Sequence, residues 1–166
     1  VGFWDSLKAA FRGQSRTDAD SKKDHEPAEK TRDRVVAPSR PQTATEAVLV
    51  EFRAQLVAVD RVLTREWPAA LRTNDISTVR ATVSRTLPIL DRMSAFLTAH
   101  HKEVIPMFGE AFMVPYDTAI TWYRKAGDEW LNGDVDRANR LLDLAQEDWA
   151  RAEEEMELRK GRLGLK

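Results

Sequence analysis

The residues best equipped for chemistry stand together at His100-His101-Lys102-Glu103. On a helix, His100 and Glu103 share a face and offer a metal two ligands, while His101 projects elsewhere. Protein metal sites take three or four ligands, and the remaining histidine, His25, lies far upstream in a charged stretch. Di-iron bundles carry paired Glu-x-x-His motifs, and the sequence has none. The three residues are therefore metal candidates that the spacing leaves incomplete, and the expectation is no metal and no cofactor. Two histidines near a helix C-terminus also answer the negative end of the helix dipole. Cysteine is absent, which excludes thiol chemistry and disulfides. No serine sits in a nucleophile elbow, and no glycine-rich phosphate loop occurs. The sequence reads as that of a non-enzyme.

A second set of residues is suited to binding. In residues 2–12, GFWDSLKAAFR, helical spacing puts Phe3, Trp4, Leu7 and Phe11 on one side, with Lys8 and Arg12 among the polar positions. Such a segment is too short to hold a helix alone in water. Burying half of its aromatic and leucine surface releases about 5–10 kcal/mol gross, enough to fold it against an apolar boundary. Aromatics for the headgroup region and two cations for anionic lipid fit an interfacial helix. A partner's groove and the protein's own helical domain are the competing seats.

Elements that position these residues follow from composition. Residues 13–43 hold seven basic and six acidic groups, no aromatic residue, and prolines at 27, 38 and 41. Such a stretch buries too little surface to offset its ordering entropy, so a flexible tether is expected. Residues 44–166 carry 17 basic against 20 acidic groups and nearly all the large apolar side chains. They are expected to form one helical domain. The overall net charge of −1 argues against nucleic acid as a partner. No apolar run reaches the roughly 18–20 residues that a membrane span needs. Residues 1–12 also lack the long apolar core of a secretory signal. A cytoplasmic protein is expected, and the preference for arginine over lysine, 18 to 8, suggests a bacterial one.

Within 44–166 the apolar period is helical. Leu49, Phe52, Leu56, Val59 and Leu63 predict a first helix over 45–66, stopping at Trp67-Pro68 because the residue before proline resists helical geometry. Ile76, Val79, Val83, Leu87, Leu90 and Leu97 predict a second over 75–101, with a kink near Pro88. Residues 103–115, with Pro106, Gly109 and Pro115, read as a long loop or a short irregular helix, apolar enough to pack on the bundle. Pro115 suits the first turn of a third helix over 115–132, ended by Gly133. Asp134 caps a fourth over 134–160, lined by Val135, Ala138, Leu142, Ala145, Trp149, Ala152 and Met156. Phe52, Phe96, Tyr116, Trp122, Tyr123, Trp130 and Trp149 are expected to face inward. The fold class is all-α: a four-helix bundle of two antiparallel hairpins, preceded by the amphipathic helix and its tether.

Trp122, Ala126, Ala138, Leu142 and Ala145 stand in the large-small-small-large-small order of a tetratricopeptide repeat. The turn Gly133-Asp134-Val135-Asp136 also looks like that family's inter-helix turn. Over about residues 119–152 the chain thus resembles one such repeat. Lys125, Glu129 and Ala150 depart from its pattern. The resemblance implies a helical hairpin and a role in binding other proteins. With the amphipathic segment, it leads to an expected function: a non-catalytic adaptor or scaffold, peripheral on the inner face of an anionic membrane. Its protein partner is unknown, and homo-oligomers are possible. The alternative is a bundle that binds a small hydrophobic ligand or metal near residues 100–112, its N-terminal segment docking on a protein.

Overall fold

Phe52, Leu56 and Val59, three members of the first predicted stripe, are fully enclosed in a computed structural model that describes residues 44–163. Residues 1–43, and with them the amphipathic segment and its tether, lie outside the described residues. Those described fold into four helical stretches without strands: α1 (Ala44–Arg61) running on through a π-helical turn (Val62–Glu66) into α2 (Trp67–Arg72), then α3 (Ile76–Phe108), α4 (Glu110–Asn132) and α5 (Val135–Leu163). Each packs mainly on its neighbour in sequence.

The expected stop at Trp67-Pro68 is not there. The Trp67 N–H reaches back five residues to the Val62 carbonyl, and this wider turn takes up the proline at the start of α2. Trp67 is held for a reason: its ring packs edgewise on Tyr123 and Trp130, with centroids 6.0 and 5.3 Å away. Its indole N–H donates to the Thr86 hydroxyl at 2.8 Å. Burial of one large side chain outweighs the local preference to break the helix.

Pro88 does not kink α3 as expected. The one residue with non-helical backbone in that helix is His100, at φ −118° and ψ 16°. Pro88 and Ser84 both lie on the exposed face, where the carbonyl left without a partner meets water. Of the two readings of 103–115, loop or short irregular helix, the structure takes the helical one and joins it to both neighbouring helices. Val104, Phe108 and Phe112 are buried at spacings of four. They carry the chain through Pro106 to Phe108, past the single residue Gly109, and into α4. Pro115 consequently falls inside α4, beyond its first turn.

The turn between α2 and α3 follows the sequence. Asn74 takes φ 51°, and the Asp75 carboxylate accepts from the N–H groups of Ser77 and Thr78 at 3.2 and 3.0 Å. Two expected core residues are exposed instead: Ile76 and Val135. As the first residues of α3 and α5 they extend past the end of the core. Trp122 and Trp149 are half-buried, their indoles donating to Asp148 at 3.1 Å and Glu153 at 3.2 Å. The other expected inward aromatics are buried.

Candidate functional site

The interruption at His100 shapes a seam between the last turns of α3 and the first turns of α4. The His100 ring stacks against Phe96 at 4.7 Å, which fixes it on the inner side of the helix. Its Nδ1 lies 3.9 Å from the Glu103 carboxylate, beyond hydrogen-bond reach. His101 turns outward, with Nδ1 3.2 Å from the Thr98 carbonyl. The two imidazoles therefore diverge. Among the described residues no group of three or more His, Asp or Glu side chains is placed to hold a metal ion.

What the seam does form is a cleft of about 140 Å³. Leu97, His101 and Ile105 supply the α3 wall; Met113, Val114 and Asp117 supply the α4 wall. Leu97 and Met113 are buried, whereas Val114 on the rim is 59% exposed. The volume is comparable to a cavity of about 150 Å³ that takes one benzene ring. At the rim, burial raises the Asp117 carboxyl above its ordinary value. Next to it, Tyr116 is wholly enclosed and its hydroxyl has no hydrogen-bond partner. Burial first, then the charges of Asp60 and Asp117, push its ionisation well above the usual phenol range. The cleft can seat a small apolar group beneath a carboxylate and an imidazole, with the Thr118 hydroxyl on its wall donating to the Val114 carbonyl at 2.8 Å.

The opposite end of the molecule is built differently. The Arg80 guanidinium donates to the Trp130 carbonyl at 3.0 Å and ties the start of α3 to the end of α4. Around these two turns Leu71, Ile76, Leu131 and Val135 are each 38–42% exposed. Two further depressions lie elsewhere on the surface. One, of about 400 Å³, lies between α2 and α3, where Glu66 pairs with Arg61 at 3.0 Å and Arg85 at 2.9 Å. The other, of about 200 Å³, includes Ala54, Ala58 and Ile89.

Of the residues singled out in the sequence, His101 lies in the cleft wall, while His100 and Glu103 flank it on α3. Phe3, Trp4, Leu7, Lys8, Phe11 and Arg12 lie outside the described residues. Sequence reasoning missed the α4 wall, Met113, Val114 and Asp117. The available signal was the four-residue spacing of Val104, Phe108 and Phe112, which puts Met113 and Asp117 one turn apart on a helix. No helix of the described residues is long and apolar enough to cross a membrane. Comparison with family models, with curated proteins and with solved structures finds no match to the chain.

Proposed function

We propose that this protein is a non-catalytic helical interaction module, an adaptor or scaffold, drawn reversibly to the cytoplasmic face of an anionic membrane by its N-terminal segment. The observation that carries the reading is a separation of roles along the chain. The rings of α1–α5 pack on one another, as in Phe52 on Phe96 and Phe108, Trp67 on Trp130, and Tyr116 on Trp149. The helical core is thus filled without Phe3, Trp4, Leu7 and Phe11, which leaves that aromatic face available to an external surface. Lys8 and Arg12 add about 1 kcal/mol each near anionic lipid. A helical domain of net −3 has no electrostatic attraction of its own to such a surface.

The interaction role draws on the resemblance of residues 119–152 to a tetratricopeptide repeat. It draws also on the exposed apolar end formed by Leu71, Ile76, Leu131 and Val135, a patch suited to a protein partner. In this reading the helices are arranged as two antiparallel hairpins, with residues 13–43 as the tether that gives the domain reach. One short anchor gives reversible attachment unless oligomerisation multiplies it.

Vesicle flotation tests the proposal. The full chain should float with vesicles containing phosphatidylserine and remain below with neutral vesicles at moderate salt. The double variant Trp4→Glu/Phe11→Glu should remain below with both. Equal flotation of wild type and variant, or none at any anionic lipid content, contradicts membrane recruitment. The α3–α4 cleft favours a second reading, in which an apolar group about the size of one ring is bound there.

A further inference from the structure

We propose that, away from the membrane, residues 1–12 of this same chain occupy the α3–α4 cleft, with one aromatic side chain seated between Leu97, Ile105 and Met113. The cleft holds about 140 Å³, room for a single ring and little more. All the described Phe, Tyr and Trp rings except Trp122, which is half-buried against Asp148 and Lys125, form a continuous series of ring contacts. The sequence outside those residues contains just three further rings: Phe3, Trp4 and Phe11.

Connectivity favours this occupant. α1 begins at Ala44, about two turns before Phe52. The Phe52 ring lies 5.8 Å from Phe96 and 5.1 Å from Phe108, the residues that bracket the α3 wall of the cleft. The chain therefore enters the helical domain at the same end of α3 that carries the cleft. On the expectation that residues 13–43 are a flexible tether, their 31 residues span about 30 Å. Tethering at that length turns docking into an intramolecular event at an effective concentration near the millimolar range, so a shallow seat suffices.

Charge agrees. Glu103, Glu110 and Asp117 lie along the seam with Lys102, and the Arg159 guanidinium from α5 reaches over Gly109, so carboxylates outnumber these cations three to two. Lys8 and Arg12, on the flank of the aromatic face, meet acidic groups there. The inference goes beyond membrane recruitment and does not depend on it. It does make the two exclusive, because one aromatic face cannot lie in the cleft and in lipid at once.

The absence of cysteine allows a single nitroxide label at Ser6→Cys, on the polar side of the segment. In the isotope-labelled full chain without lipid, the amide signals of Ile105, Val114 and Thr118 should lose at least half their intensity relative to the reduced label. Those of Asp75 and Gly133, at the other end, should keep theirs. Val114→Arg, a change at an exposed rim position that the fold tolerates, should restore the lost intensity, as should Trp4→Glu/Phe11→Glu. Uniform intensity, or attenuation that survives Val114→Arg, overturns the proposal. Attenuation that appears only between a spin-labelled copy and an isotope-labelled copy overturns it in favour of a second chain as occupant. Phosphatidylserine vesicles separate the two proposals. Attenuation without lipid in a chain that never floats supports docking and rejects recruitment, and flotation without prior attenuation does the reverse.

Discussion

At the α4–α5 junction Gly133 takes φ 91° and ψ 5°, and the Asp134 N–H closes the helix end on the Glu129 carbonyl at 2.9 Å. Asp134 then caps α5 through the Arg137 N–H at 3.0 Å, while Arg80 covers the Trp130 carbonyl. At the α3–α4 junction Gly109 takes φ 80° and ψ 148°, and α4 begins with no side-chain cap. The Arg159 guanidinium lies over Gly109, 3.5 Å from the Met107 carbonyl. Both junctions thus combine a glycine with an arginine from a distant helix. The first meets its backbone needs locally with good geometry. The second has prolines on both sides, an interrupted helix before it and an open cleft beside it. Backbone hydrogen bonds close both junctions, Gly109 N–H donating to the Ile105 carbonyl at 2.6 Å, but only the first adds a side-chain cap and only the second borders the cleft.

Trp67→Ala should produce the largest effect, because that ring secures the closed end against Tyr123 and Trp130. A loss of about 3–5 kcal/mol is expected by urea denaturation. A loss under about 1 kcal/mol would mean that Trp67 does not hold α2 in place.

The two glycines sharpen the contrast. A Cβ at either meets an arginine guanidinium, which can swing away, so backbone conformation decides the cost. The conformation of Gly133 is one that other residues adopt at about 1 kcal/mol, whereas that of Gly109 is nearly confined to glycine. Gly109→Ala should therefore destabilise by about 2–3 kcal/mol and Gly133→Ala by about 1. Equal losses would remove this distinction between the junctions. Smaller still, Asp134→Ala should cost about 1 kcal/mol and Glu110→Ala close to none, since only the first is a cap.

The smallest effect is a pH response of opposite sign at the two ends. Hydrogen bonds from Thr78 and Ser77 hold the Asp75 carboxyl below its ordinary value of 3.8. Its contribution is present above that value and is lost as pH falls through the folded-state value, so acid frays the start of α3. Burial raises Asp117, so the folded state holds that proton more tightly than the unfolded chain does. Stability from this group is greatest below 3.8 and falls as pH rises through its folded-state value. Carboxyl titration by NMR should separate the two on either side of the ordinary value. Asp117→Asn should remove its decline, and Asp75→Asn should weaken the acid fraying.

Much of this was legible in the sequence, and the failures share one cause. Apolar spacing identified Phe52, Val83, Leu90, Tyr123 and Leu142 as core, and turn chemistry identified Asp75, Gly133 and Asp134. Proline rules gave the wrong outcome at Trp67-Pro68 and at Pro88, and left 103–115 open between a loop and a short irregular helix. Those rules weigh only local geometry. The competing energy comes from rings distant in sequence, Trp130 on Trp67 and Phe52 on Phe108, whose meeting no local pattern announces. The cleft was half visible: His101 was singled out, but Met113 and Asp117 were assigned to a loop and a helix start. Once residues 104–112 are helical, the α4 wall follows.

We propose that the Gly109 end is the one that responds to membrane attachment, while the Gly133 end, with its exposed apolar patch, does not change. Amide hydrogen exchange of the full chain, with and without phosphatidylserine vesicles, tests it most directly. On this account, vesicles draw residues 1–12 from the cleft, and protection falls across 97–118 while that of 67–83 and 126–138 stays unchanged. Unchanged protection across 97–118 in vesicle-bound chain, or a change confined to the Gly133 end, would contradict it.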